Sequence, residues 1–389
     1  MKQIAFVICI CYCQFVFSQT NDPRFFFASR QCRDSVSLQL KQQIERTIAL
    51  PLNNETYDKW MGAFWAMELM LYKPQGYETK ISNQIQQLPT LGPGFQRSFL
   101  EMLYTLYPGE FNEEVKRIWQ QLRTDKVKAM ALEYLALSNL GIDIKADDAF
   151  TKSLYFSAYS YVRSKTSLAL PSKNLFLDSS FFKGQTVLCS FQSTNRNKPG
   201  YLMIRTADGK WLTDDKGNEL RYPQLARAIN NLPFYLTNGN TPQGLYRING
   251  FDTSDNNWIG PTTNLQMCLP FEKAIVPFFG NDTAYQTVYA KLLGPLLQQY
   301  QSLWESYTAG KLGRTEIIAH GTTIDPDFYK TQMYHPATPS LGCLCSPELW
   351  NDVGERTYSS QQEWIKLVMQ ISPAPDYLIV TEINDLSFK

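Results

Sequence analysis

Between residues 34 and 163 apolar side chains return every three to four positions. Trp60, Phe64, Met67 and Met70 form one such run, Phe99, Met102 and Leu103 the next, and Val115, Ile118, Trp119 and Leu122 a third. A helix brings residues at that spacing onto one face, so the segment predicts helices that each bury a single stripe. Breaks are expected at 74–76, 89–93, 108–109 and Gly141, where proline cannot donate to a helix ladder and glycine ends one readily. The aromatic stripe is read first as core. Aromatics also line binding grooves, so a protein or glycan partner of this helical part is the alternative.

After about Leu170 the period shortens to two. Residues 201–205 and 210–213 flank Ala207, Asp208 and Gly209 as the arms of a hairpin, and 232–237 and 244–249 continue as short β-rich runs. A helical insertion at about 283–311 then keeps Tyr285, Val288, Tyr289, Leu292 and Leu293 in a 3.6-residue period, with a kink expected at Gly294 and Pro295. Strand character returns at 315–320. Ser360 and Glu363 have capping-box spacing for a helix to about Gln370, and 377–381 predicts a closing strand. The fold class expected is α+β: an all-helical N-terminal domain at 19–165 followed by a mainly β domain at 166–389.

Composition narrows the chemistry. The 389 residues carry 37 basic and 36 acidic side chains, and 44% are hydrophobic, which describes a chain able to bury a core and not a nucleic-acid partner with a basic excess. Only two histidines, His320 and His335, are present, so no multi-histidine metal site and no bound cofactor are expected. A zinc site made from Cys343, Cys345 and one histidine would have too few ligands at an unusual spacing. Residues 1–18 predict a secretory signal peptide: Lys2, an apolar run at 4–17, and a cut near Gln19. The run is short for a membrane span, and no later stretch is long and uncharged enough to be one. The mature chain is therefore expected to be exported, to the periplasm or cell envelope, without a membrane span.

Cleavage would remove three of the eight cysteines and leave Cys32, Cys189, Cys268, Cys343 and Cys345. That odd number suggests a free thiol beside up to two disulfides, or several unpaired cysteines. Cys189 and Cys268 sit in apolar, strand-like runs and read as small buried residues.

The most informative stretch is Ile317 through Ser346, IIAHGTTIDPDFYKTQMYHPATPSLGCLCS. It begins as a buried strand whose end presents His320 and Gly321. It finishes with Ser340, Leu341, Gly342 and Cys343, a cysteine following a glycine between Pro339 and Pro347. Glycine there permits a tight turn, and neighbouring amides can face a developing oxyanion. A thiol held near an imidazole can act as a thiolate nucleophile. The plain alternatives are a structural histidine and a disulfide-bonded cysteine. Cys345 reads as structural, disulfide-bonded, or able to resolve oxidation of Cys343. Asp325 and Asp327 read as solvated loop acids.

These residues resemble the L,D-transpeptidase catalytic domain, the fold of secreted cysteine enzymes that cross-link bacterial peptidoglycan. That family has a strand ending in His-Gly or His-Ser, then a loop, then Ser-His-Gly-Cys; here the counterparts are His320-Gly321 and Ser340-Leu341-Gly342-Cys343. Its upstream Thr-Pro-x-Gly-x-Tyr is matched at every fixed position by Thr241, Pro242, Gly244 and Tyr246, and 267–270 loosely echoes a Met-Pro segment. The resemblance covers roughly residues 170–389. It implies that Cys343 is the nucleophile and His320 its base, that the Gly321 carbonyl orients the imidazole, and that amides at Gly342 and Cys343 stabilise the tetrahedral intermediate. It implies peptidoglycan stem peptides as substrate, with loss of D-alanine and a thioester resolved by an amine or by water. The related possibilities are an L,D-carboxypeptidase or amidase of the same fold, or a non-catalytic wall-binding scaffold. It further implies a lid where the helical insertion falls; packing of that insertion onto the N-terminal helices is the alternative. Leu341 replaces the family's second histidine, Cys345 stands where Asn or Arg follows, and the loop from histidine to cysteine is several residues longer.

Overall fold

The computed structural model describes residues 26–138, 149–165, 168–273, 278, 284–384 and 386. The expected signal peptide and the break at Gly141 lie outside them. The chain is α+β, with helices and one large mixed sheet.

Helices come first: α1 (Arg30–Ile48), α2 (Tyr57–Met70), α3 (Glu78–Gln87), α4 (Pro93–Leu106), α5 (Asn112–Ile118), α6 (Asp125–Ala136) and α7 (Leu154–Ser164). Their ends obey local chemistry. Ser29, Thr124 and Ser153 accept amide hydrogens at the starts of α1, α6 and α7, and Pro93 opens α4, where its missing N–H costs nothing. The predicted stripes are core: Trp60, Phe64, Met67, Phe99, Met102 and Val115 are fully or almost fully buried.

The sheet contains β1 (Val187–Gln192), β2 (Gly200–Arg205), β3 (Tyr222–Gln224), β4 (Gly244–Thr253), β5 (Thr263–Cys268), β6 (Ala319–His320), β7 (Leu344–Cys345) and β10 (Tyr377–Glu382). Their order is β3-β2-β1-β10-β4-β5-β6-β7, parallel at β1–β10 and β6–β7 and antiparallel elsewhere. The two ends nearly close into a barrel. Leu225, just beyond β3, exchanges backbone hydrogen bonds with Cys345 (2.7 and 2.9 Å), and Ile229 N–H reaches the Ser340 carbonyl at 2.8 Å. A small hairpin, β8 (Glu348–Trp350) with β9 (Arg356–Ser359), leads into α10 (Ser360–Val368).

Both faces of the sheet are covered, so β1, β2 and β10 are buried along their whole length instead of alternating between core and solvent. One face, with Leu188, Leu202, Leu265 and Leu378, shares a core with α10 and with the N-terminal helices. The other, with Val187, Cys189, Met203, Leu245 and Ile379, packs on α8 (Tyr285–Leu297) through Val288, Tyr289, Leu293 and Leu297. Gly294 (φ 71°) kinks α8 at the expected place. The apolar side of this insertion therefore belongs to the sheet core. The other end of the insertion, α9 (Glu305–Lys311), meets α7 where Tyr161 donates to Glu305 at 3.1 Å.

Several local expectations need correction. Residues 232–237 form turns, pinned by left-handed Asn231 and Asn238. The expected strand at 315–320 shrinks to Ala319–His320, because Glu316 takes a left-handed backbone (φ 61°). Ser359, not Ser360, caps α10, and the expected closing strand β10 lies at the centre of the sheet. Asp325 is buried, within 3.9 Å of both Arg33 and Arg30.

Candidate functional site

The sequence pieces that drew attention meet at one end of the sheet. Gly342 (φ 104°) turns the chain into Cys343 and β7. Thr241, 101 residues upstream, donates its hydroxyl to the Gly342 carbonyl at 3.0 Å, and Ser340 Oγ donates to the Cys343 carbonyl at 2.8 Å. Tyr246 is buried and donates to the Pro242 carbonyl at 2.7 Å, closing the turn that aims Thr241. Gly244 (φ 121°) allows that turn to press against α8 and α9: a Cβ there would collide with Tyr289 Oη, Ser306 Oγ and the Leu303 carbonyl.

His320 ends β6, opposite Cys345 of β7. The amides of Leu344 and Ser346 donate to the carbonyls of Ile318 and His320 at 3.0 and 2.9 Å, which fixes the register. Within the buried imidazole, Nδ1 hydrogen-bonds the Gly321 carbonyl. A carbonyl only accepts, so Nδ1 carries the proton and Nε2 keeps its lone pair. Burial lowers the pKa of His320, favouring the neutral ring, and the Gly321 contact opposes it.

The half-buried Cys343 thiol donates weakly to the Glu316 carbonyl (3.6 Å) and accepts from the Ile318 amide (3.5 Å). No hydrogen bond joins it to His320 among the described residues. Burial pushes its pKa up; the Ile318 amide and the Arg314 guanidinium pull it down, while Glu316 and Glu272 push it further up. Glu272 also receives the Glu316 amide at 2.9 Å, holding the left-handed residue whose carbonyl meets the thiol. Leu341 projects at the loop tip, 47% exposed.

All five cysteines among the described residues are free. Cys345 is buried against Thr338, and burial pushes its thiol up to about 12, which favours the neutral thiol. His335 is exposed on a loop, its backbone amide bonded to the Gln332 carbonyl. No group of three or more potential metal-ligating side chains occurs among the described residues.

Two features were missed by sequence reasoning. Gly321 packs directly on the carboxylate of buried Glu348, which accepts from the Thr322 amide (3.0 Å), Thr262 (3.1 Å) and Ser359 (2.5 Å). Burial pushes this carboxyl up to about 7. Arg314 is buried beneath the cysteine loop. Neither has a local signature, since a Glu after Pro347 and an Arg after Gly313 look like surface residues. A cavity of about 240 Å³ lies behind the loop, lined by Thr241, Lys165, Arg196, Glu305 and Glu382, and another of about 300 Å³ lies beside Lys173, Tyr201 and Arg221. Cys343 and His320 line neither.

No helix among the described residues is long and apolar enough to cross a membrane. Compared with known proteins, the chain matches no family model, no curated protein and no solved structure.

Proposed function

We propose that the chain is an exported L,D-transpeptidase-like cysteine enzyme of the periplasm or cell envelope, with a helical domain at 19–165 and a catalytic domain at 166–389, acting on peptidoglycan stem peptides. The observation that carries this reading is the hydrogen bond from Thr241 to the Gly342 carbonyl, which ties the Thr-Pro-x-Gly-x-Tyr segment to the cysteine loop across 101 residues. The hydrogen bond between Nδ1 of His320 and the Gly321 carbonyl supports it further, because it leaves Nε2 free to accept a proton.

In the proposed reaction Nε2 of His320 takes the thiol proton once the Cys343 side chain turns from the Glu316 carbonyl. The thiolate adds to the carbonyl carbon of the third stem residue, and the oxyanion is met by the Cys343 amide and by that of Gly342, which now donates to Ser340 Oγ. Collapse expels D-alanine, protonated by the imidazolium, and leaves a thioester on Cys343. An amine of a second stem restores the thiol in a transpeptidase; water does so in a carboxypeptidase.

One observation favours the rival, a non-catalytic wall-binding scaffold: the thiol faces a carbonyl and its pKa is raised, so in this geometry it is protonated. Purified muropeptides incubated with wild type and Cys343→Ala, with products read by mass, decide between them. Cross-linked product or D-alanine release that disappears in Cys343→Ala is expected. Identical product spectra from both proteins would sink the enzyme reading.

A further inference from the structure

Arg314 is a buried cation whose hydrogen bonds all go to neutral groups. Its Nη1 donates to the carbonyls of Phe234 and of Asn240 (2.9 Å), and Nη2 donates to the Gly239 carbonyl at 3.0 Å. Carbonyl dipoles solvate the guanidinium without cancelling its charge. The contrast with neighbouring cations is plain: half-buried Lys165 pairs with Glu305 and Glu382, and buried Arg196 pairs with Glu382. Burial lowers the pKa of Arg314 to about 10, and an ionised Tyr246 of β4 or Cys343 would raise it. Its guanidinium lies against Gly342, where a Cβ would run into Nη2 and the Gly239 carbonyl. The glycine before the cysteine is thus what admits the cation against the residue that precedes the thiol.

The cradle of carbonyls is itself built by the helical part of the chain. Tyr235 donates to Glu133 at 2.7 Å, Lys126 donates to Thr237 at 3.0 Å, and Asn238 donates to Glu101 at 3.3 Å. Tyr161 meets Phe234 edge to face. These contacts hold residues 234–240 with their carbonyls turned to Arg314.

We infer that Arg314 is the fixed counter-charge of the Cys343 thiolate, a positioning residue that stands in for the polar side chain absent at Cys345. The inference rests on the proposed nucleophilic role of Cys343. The step is an ionisation alone: the S–H bond breaks, its proton passes to solvent or to Nε2 of His320, and the electron pair stays on sulfur beside the guanidinium. Other charged or titratable groups around the pair are Glu316 and Glu272 on the thiol side, His320 on the adjoining strand, and Tyr246 and Lys126 on the arginine side.

The test is alkylation of the full chain by iodoacetamide from about pH 6 to about pH 10, bracketing the ordinary thiol range, with Cys343 read by peptide mass spectrometry. Arg314→Met is expected to move the pH midpoint up by about one unit and to slow alkylation below it about tenfold, with Arg314→Lys restoring most of the loss. A midpoint unchanged in Arg314→Met overturns the inference. Should Arg314→Met fail to fold by circular dichroism, the melts of Cys343→Asp and Cys343→Asn replace it. The Asp variant is expected to be the more stable at neutral pH and to lose that advantage once its carboxyl is protonated; an equal pair at every pH overturns the inference. Alkylation is independent of turnover. Muropeptides left unchanged by wild type, with the midpoint still responding to Arg314, would remove the enzyme reading alone, whereas turnover with an unresponsive midpoint would remove Arg314 alone.

Discussion

The centre of the sheet and its cysteine rim are held by different means. At the centre, β1 and β10 pair over six consecutive residues, and β10 pairs with β4 on its other side. Every residue of β1 and β10 is buried. At the rim, β6 and β7 are two residues each, and geometry comes from single contacts: Thr241 to Gly342, Ser340 to Cys343, and Arg314 to three carbonyls. A ladder repeats one interaction and tolerates the loss of a rung. A set of unlike contacts has no such redundancy, so a change at the rim is expected to alter Cys343 more than it alters folding.

Four substitutions test that division. The largest effect on stability is expected at the centre: Ile379→Ala, in a fully buried position, should cost about 2–5 kcal/mol by denaturant melt yet leave the pH midpoint of Cys343 alkylation in place. Next comes Glu348. Its folded-state pKa of about 7 lies above the ordinary carboxylate value, so the folded protein holds a proton there that the unfolded chain releases. Its contribution is greatest below the ordinary carboxylate pKa and is lost as pH rises through about 7. Glu101 and Glu133, also pushed up to about 7 by burial, add to the same slope. Glu348→Gln should flatten the fall in stability across that window by on the order of 1–3 kcal/mol; an unchanged slope in pH-dependent melts would refute this.

Thr241→Val leaves the Gly342 carbonyl without its donor at nearly constant volume, so about 1 kcal/mol of stability should be lost. Alkylation of Cys343 should change severalfold, and a loss of stability with no change at Cys343 would contradict the division between ladder and rim. The smallest effect is Leu341→His. The site is exposed, so the melt should move within about 0.5 kcal/mol. Placing an imidazole two residues before the thiol should nonetheless speed alkylation near neutral pH.

The parts legible in the sequence were those that repeat. Stripes such as Trp60, Phe64 and Met67 announced their helices because burial selects the same face turn after turn. Gly294 with Pro295 marked a kink because no other pair disrupts a helix so directly. Residues 232–237 misled because Leu232, Phe234 and Leu236 alternate like a strand, while the decisive residues are the asparagines around them. Asn238, Gly239 and Asn240 are turn chemistry that should have outweighed the alternation. At the rim, His320, Gly342, Cys343 and Thr241 could be picked out by motif, but their placement could not. The contact between His320 and Gly321 is local and was anticipated; Arg314 and Glu348 were not, because their burial is decided by segments distant in the chain.

The central position of β10 sets an order of events during synthesis. β1 and β4 do not touch along their ladders; each pairs with β10, which leaves the ribosome after both of them. A nascent chain lacking β10 can assemble its helices from local contacts, whereas the middle of its sheet must wait for a partner about 190 residues downstream of β1. Until that strand arrives, the facing edges of β1 and β4 are open to pairing with other chains. A nonsense codon just before Tyr377 would therefore be expected to yield an aggregating product instead of a folded, shortened chain.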